Sequence, residues 1–212
     1  MTRISPVIDQ LVDALQVLPG VGPKSALRMA LHLLQKDKNS AEILSESIIQ
    51  AVRDVGKCAK CRTLTEETIC YICANSKRDS GIVCVVESSA DVVAIESTAE
   101  FDGRYYVLHG RLSPIDGVGP EELGLNVFRK WVLEDDVKEV ILATNPTVEG
   151  EATAYFITEA LAGSNIAVSR IAHGVPIGGE LGYVDGGTLS NALKGLTSIV
   201  YTSINRRPRF VR

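Results

Sequence analysis

The chain has 212 residues, 45% apolar and 23% charged, with no low-complexity tract; this is a globular composition long enough for one domain or two to three small ones. No apolar stretch reaches bilayer length, and Met1 to Gln10 carries Arg3, Pro6 and Asp9 where a signal peptide needs an apolar core, so the expectation is a soluble cytoplasmic protein with no membrane partner. The net charge of −4 is unevenly spread: residues 1–62 hold nine Lys/Arg against six Asp/Glu, residues 63–205 nine against twenty, and residues 206–212 four arginines and no acid. A basic front and an acidic middle suit different partners.

Ile4, Val7, Ile8, Leu11, Val12, Leu15 and Leu18 recur at three- and four-residue spacing, which predicts an amphipathic helix begun by a cap and a proline at Ser5-Pro6. It stops at Pro19-Gly20-Val21-Gly22-Pro23, and Ala26, Met29, Ala30, Leu33 and Leu34 predict a second helix. Gly20 and Gly22 permit a tight turn and leave amide donors at a helix N-terminus, where partial positive charge suits a phosphate. Lys24 and Arg28, one turn apart, add charge to the same patch, and Val21 is expected to plug the turn into the core. The stretch L-P-G-V-G-P-K-S-A resembles the helix-hairpin-helix element, which grips DNA backbone without reading sequence. A nucleotide phosphate loop competes for Lys24-Ser25 but fails, because Pro23 stands where glycine is required and the spacing is too short. An ordinary helix-packing turn is the remaining alternative.

Four cysteines come next at Cys58, Cys61, Cys70 and Cys73, in the pattern C-x2-C-x8-C-x2-C. Two such knuckles bring four thiolates to the corners of a tetrahedron, the geometry and ligand softness that zinc favours. With no open coordination position the site is structural. The alternative, two disulfides, is disfavoured in a reducing compartment. Cys84 lies in the apolar run 82–86 and reads as a small buried hydrophobe; the odd thiol count also speaks against a disulfide framework.

Beyond the cysteines, strands are expected over 81–87, 104–110, 138–144 and 166–172, with helices over 89–96, 121–134 and 149–162 between them. Alternating β and α with near-continuous apolar strands predicts a parallel sheet covered by helices, with ligand chemistry at the carboxyl ends of the strands. That places Glu87 and the loop from Asn145 to Glu151 at the candidate site. Trp131 and Phe128 read as core, and Tyr105 and Tyr106 as one residue facing in and one facing out. His32 reads as surface, His109 as a satisfied strand end, and His173 as a holder of its turn by hydrogen bonds.

Val86-Glu87-Ser88-Ser89-Ala90-Asp91-Val92 and Ala143-Thr144-Asn145-Pro146-Thr147-Val148-Glu149-Gly150-Glu151-Ala152 resemble the two signatures of a Toprim domain. Catalytic Toprim domains hold magnesium with a glutamate and a D-x-D pair. Here Asn145 and Thr147 replace the aspartates, leaving Glu87, Asp91, Glu149 and Glu151 as partner-binding or weak metal-binding acids. Helix-hairpin-helix, four-cysteine finger and Toprim in this order resemble the RecR family of bacterial recombination mediators, from about Ile4 to about Leu196, helped by the stretches 112–120 and 170–181. The resemblance implies an α+β/α/β multidomain chain: a helical hairpin domain over 1–55, a zinc finger over 56–76, a parallel-sheet Toprim domain over 80–175, and a C-terminal oligomerisation arm with a basic tail over 176–212. It implies one structural Zn2+, no catalysis and a doubtful Mg2+. It also implies DNA-binding by Gly20, Gly22, Lys24 and Arg28, and assembly as a homodimer or homotetramer forming a clamp. The implied partners are RecO and RecF, and indirectly RecA and single-strand binding protein. The alternative is a magnesium-dependent Toprim nuclease. Gly182, where the family usually has an acid, and the end from Ile204 to Arg212 depart from the family pattern.

Overall fold

The computed structural model describes residues 5–195, so Ile4 and the arginine-rich end 206–212 lie outside the described residues. These residues fall into two compact units, 5–59 with 64–70, and 60–63 with 71–195.

In the first unit, α1 (Pro6–Leu15), α2 (Pro23–Gln35) and α3 (Lys38–Asp54) pack in sequence, followed by the short antiparallel pair β1 (Gly56–Lys57) and β2 (Leu64–Thr65). Pro6 opens α1 from an extended Ser5, but the Ser5 side chain makes no capping bond, a departure from the expected cap; the proline alone presets the first turn. Helix α3 is not among the predicted elements, although Ala41, Leu44, Ile48 and Val52 recur at helical spacing. Asp37 starts it by accepting from the Ser40 amide at 3.0 Å. Its apolar residues are too exposed to mark a buried stripe: Ile43, Ile48, Ile49 and Val52 are all more than half exposed. Only Ala26 and Ala30 are fully buried in the three helices, where small side chains let α2 approach its neighbours closely.

The second unit holds α4 (Tyr71–Ala74), β3 (Ile82–Val86), α5 (Ser89–Glu96), β4 (Arg104–Val107), α6 (Leu125–Glu134), β5 (Glu139–Ala143), α7 (Val148–Ala160), β6 (Ala167–Arg170), a 3-10 turn at Leu181–Tyr183, and α8 (Gly186–Lys194). The four strands make one parallel sheet in the order β4-β3-β5-β6, with Val86 of β3 opposite Val107 on one side and Ala143 on the other. The chain leaves β3 for β4 and returns on the other side as β5. The strand order therefore reverses at the carboxyl ends of β3 and β5, where open sheets place their sites.

Alternate strand residues serve opposite faces. Val83, Val85, Val140 and Leu142 pack with Tyr106, Phe128, Val132 and Ile157 in the main core. The expectation that one of Tyr105 and Tyr106 faces solvent is corrected, because both are wholly buried. They do point to opposite faces, but each face is covered. The Tyr105 hydroxyl donates to Glu96 of α5 at 2.6 Å, and the Tyr106 hydroxyl donates to the Gly124 carbonyl at 2.7 Å. Glu96 is in turn held by both Arg78 guanidinium nitrogens, which keeps its carboxyl below the usual range. Among the described residues, no helix is long and apolar enough to cross a membrane.

Candidate functional site

The thiols of Cys58, Cys61, Cys70 and Cys73 are buried, none is in a disulfide, and all four sulfurs lie within 4.8 Å of one another. A zinc ion with Zn–S bonds of about 2.3 Å needs sulfurs about 3.8 Å apart, so the set fits. Backbone donors support the thiolates: the Cys70 amide points at Cys58 Sγ at 3.3 Å and the Thr63 amide at Cys61 Sγ at 3.5 Å. Among the described residues this is the only such gathering of metal-ligand side chains. Cys84, by contrast, sits mid-strand in β3; burial, with the nearby Asp91 charge adding to it, pushes its thiol up to about 12, so it stays protonated and inert.

Arg62, next to the second cysteine, is a residue that no sequence signal singles out. It adopts a left-handed backbone with φ of 63°. Its guanidinium lies over the Tyr106 ring, 5.6 Å from the centroid, and donates to the Leu123 carbonyl. The Arg62 carbonyl faces His109 Nε2 at 2.7 Å, and the Cys61 carbonyl accepts from the Val107 amide at 2.9 Å. Arg62 therefore seats the Cys61 knuckle on the end of β4. Nothing in an isolated arginine beside a cysteine foretells that.

In the hairpin, Gly20 has φ of 79°, a conformation that costs an L-residue, and Gly22 is the N-cap of α2 with no side chain to offer its amides. Pro23 fills the first turn. Lys24 and Arg28 are exposed, and Val21 is half-buried. The free amides at the start of α2 and the two cations stand together on one unit.

The strand-end acids are brought to the carboxyl edge of the sheet, and Glu87, Asp91 and Glu151 are already engaged. Glu87, directly after β3, is 8% exposed. One of its oxygens accepts from the Asn145 amide at 2.8 Å, the other from Asn145 Nδ2 at 2.7 Å. Asp91 closes a capping box on α5, accepting from the Ser88 amide at 2.8 Å and its hydroxyl at 2.9 Å. Glu151 pairs with Arg170 at the end of β6. Glu149 stands half-buried in the first turn of α7. A cleft of about 420 Å³ lined by Glu87, Ser88, His109, Gly110 and Arg111 opens beside them. His173 does not hold its turn through Nε2, which is buried without a hydrogen-bond partner; this corrects the expectation for that nitrogen.

Comparison with known proteins divides the chain into four segments. Family models match the RecR helix-hairpin-helix over residues 8–52, the RecR four-cysteine zinc finger domain over 55–75, the Toprim domain over 81–172 and the RecR C-terminal segment over 174–195. The chain is 58% identical over 189 residues to the recombination protein RecR of Saccharophagus degradans, covering 89% of this chain and 96% of that one. It is 56% identical over 194 residues to the recombination protein RecR of Shewanella denitrificans, covering 91% and 98%. The finger match and the sulfur geometry agree on one structural zinc held by the four cysteines.

Proposed function

The chain belongs to the RecR family, and from that premise we propose that it is a DNA-binding recombination mediator in which the α1–α2 hairpin grips the phosphate backbone. The hairpin geometry carries this reading: Gly20 in the left-handed region, Gly22 as a side-chain-free cap, and Lys24 and Arg28 exposed on the helix they begin. Such a site neutralises phosphates and reads no bases, so binding is sequence-independent and falls steeply with salt. The acidic composition of residues 63–205 confines the DNA footprint to the hairpin side of each subunit.

In this reading the protein works as an oligomeric clamp, a homodimer or homotetramer. The apolar residues left exposed on α3 support self-association, since a surface of that kind gains free energy when covered. With RecO and RecF it would help load RecA onto gapped single-stranded DNA covered by single-strand binding protein, in the cytoplasm. The mediator performs no chemistry of its own. The two aspartates that a Toprim nuclease would spend on magnesium are Asn145 and Thr147 here, and of the remaining acids Glu87, Asp91 and Glu151 are held by Asn145, Ser88 and Arg170.

The test is DNA binding by the zinc-loaded protein, read by fluorescence anisotropy on gapped and single-stranded DNA across a salt series. The reading expects binding that Lys24→Glu with Arg28→Glu abolishes at moderate salt, with no cleavage in magnesium or manganese. Unchanged binding in the double variant refutes the hairpin assignment. Cleavage lost in Glu87→Gln refutes the non-enzymatic one.

A further inference from the structure

A Toprim fold implies a divalent cation where β3 and β5 end, and the residues of this chain do not fit one. A hard cation there needs two or three carboxylates with free oxygens. Asn145 and Thr147 carry no charge, and Asp91 gives its Oδ2 to the Ser88 amide and hydroxyl of the helix cap. Glu87 offers no idle oxygen to the β5 loop, since both are already bonded to Asn145.

We propose that Asn145 stands in the cation's place: its backbone and side-chain amides hold Glu87, fixing the loop from Asn145 to Gly150 without metal and closing the strand-end site to divalent ions. A buried carboxylate needs compensating donors or a counter-charge. A metal-dependent site supplies the counter-charge from the ion. Here Asn145 supplies no counter-charge, and its two neutral amide donors 2.7 and 2.8 Å away provide the compensating hydrogen bonds from within the chain.

The rest of the loop is built around that contact. The Thr147 amide donates to the Asn145 carbonyl at 2.8 Å, the Thr147 hydroxyl accepts from the Gly150 amide at 3.1 Å, and the Thr144 hydroxyl donates to the Gly150 carbonyl at 3.0 Å. A Cβ on Gly150 would collide with the Asn145 carbonyl oxygen and stand 3.0 Å from Glu87 Oε1. Only glycine lets α7 start this close to the lock. Asn145 is thus a positioning residue: through Glu87 it sets where α7 begins, and with it the direction of Glu149 in its first turn.

The experiment uses zinc-loaded full chain, with Mn2+ as the probe, and reads melting temperature and bound Mn2+ by electron paramagnetic resonance. In the native protein, millimolar Mn2+ should leave the melting temperature unchanged and no Mn2+ should bind in a Glu87-dependent way. Asn145→Asp sets two carboxylates against each other; it should melt lower in buffer without Mn2+ and regain about 5 °C when Mn2+ is added. That gain should vanish when Glu87→Gln is added. Asn145→Ser, which removes the side-chain donor without adding charge, should be destabilised without rescue. Glu87-dependent Mn2+ binding by the native chain overturns the proposal. So does an Asn145→Asp protein equally destabilised with and without Mn2+. Should that variant be insoluble under both conditions, the comparison of native chain with Glu87→Gln for bound Mn2+ still decides: binding that Glu87→Gln removes refutes the lock, and its absence supports it.

Discussion

The tetrapeptide Gly-Val-Gly-Pro occurs twice, at 20–23 and at 117–120, and the two copies have similar backbones and opposite surfaces. In each, the first glycine has positive φ, 79° at Gly20 and 70° at Gly117. In each, the valine is half-buried, and the second glycine's carbonyl accepts from the amide four residues on, from Ala26 at 2.9 Å in the first turn of α2 or from Leu123 at 3.3 Å in the turn before α6. The difference lies in the next two residues. After Pro23 come Lys24 and Ser25, and no side chain caps α2. After Pro120 come Glu121 and Glu122, and the Glu122 carboxylate accepts from the Gly119 amide at 2.9 Å. The first copy leaves donors and positive charge for an outside phosphate; the second spends its donor on its own acid. The adjoining residues thus decide whether such a glycine turn keeps its donors open or satisfies them with the chain's own carboxylate.

The largest effect should come from breaking the first copy's charge. Lys24→Glu with Arg28→Glu should lower DNA affinity by about 100-fold at low salt and reduce the slope of log affinity against log salt by about 2. Next come the two left-handed glycines. Neither Gly20 nor Gly117 has an atom within 4 Å of where a Cβ would sit, so alanine costs only backbone strain, roughly 1–2 kcal/mol each by urea unfolding. Gly20→Ala should also weaken DNA binding, and Gly117→Ala should leave it alone. Glu122→Ala should cost about 1 kcal/mol or less, because it removes an exposed hydrogen bond in a turn, and should not create DNA binding. Smallest is the exchange Glu121→Lys with Glu122→Ser, which copies the first sequence into the second. Its gain in DNA affinity should stay below about threefold, because the surrounding segment remains acidic. A gain as large as the first pair's loss would show that local sequence alone makes the grip.

The second unit was legible because its strands are short continuous apolar runs separated by helical periods, and each was predicted within a few residues of its observed ends. The first unit was less so. Helix α3 was missed although Ala41, Leu44, Ile48 and Val52 recur at helical spacing, and what the sequence could not show is that Ile43, Ile48, Ile49 and Val52 stay exposed in the folded chain. The Tyr105 error has a different source. Alternation correctly sent neighbouring tyrosines to opposite faces, but whether a face meets water depends on the helix packed over it. At the candidate site, the acids were found and their engagement was not. Asn145 read as a lost charge, whereas it is the donor that holds Glu87.

By itself the sequence determined the zinc ligands, the glycine hairpin with its two cations, and the parallel sheet with acids at its strand ends. These depend on spacing, on backbone freedom and on apolar period, which are local properties of a chain. Only the tertiary structure decided which polar groups are already satisfied. Asn145 reaches Glu87 across 58 positions and Arg62 reaches Leu123 across 61, and hydrogen bonds between such distant residues exist only once the sheet has formed.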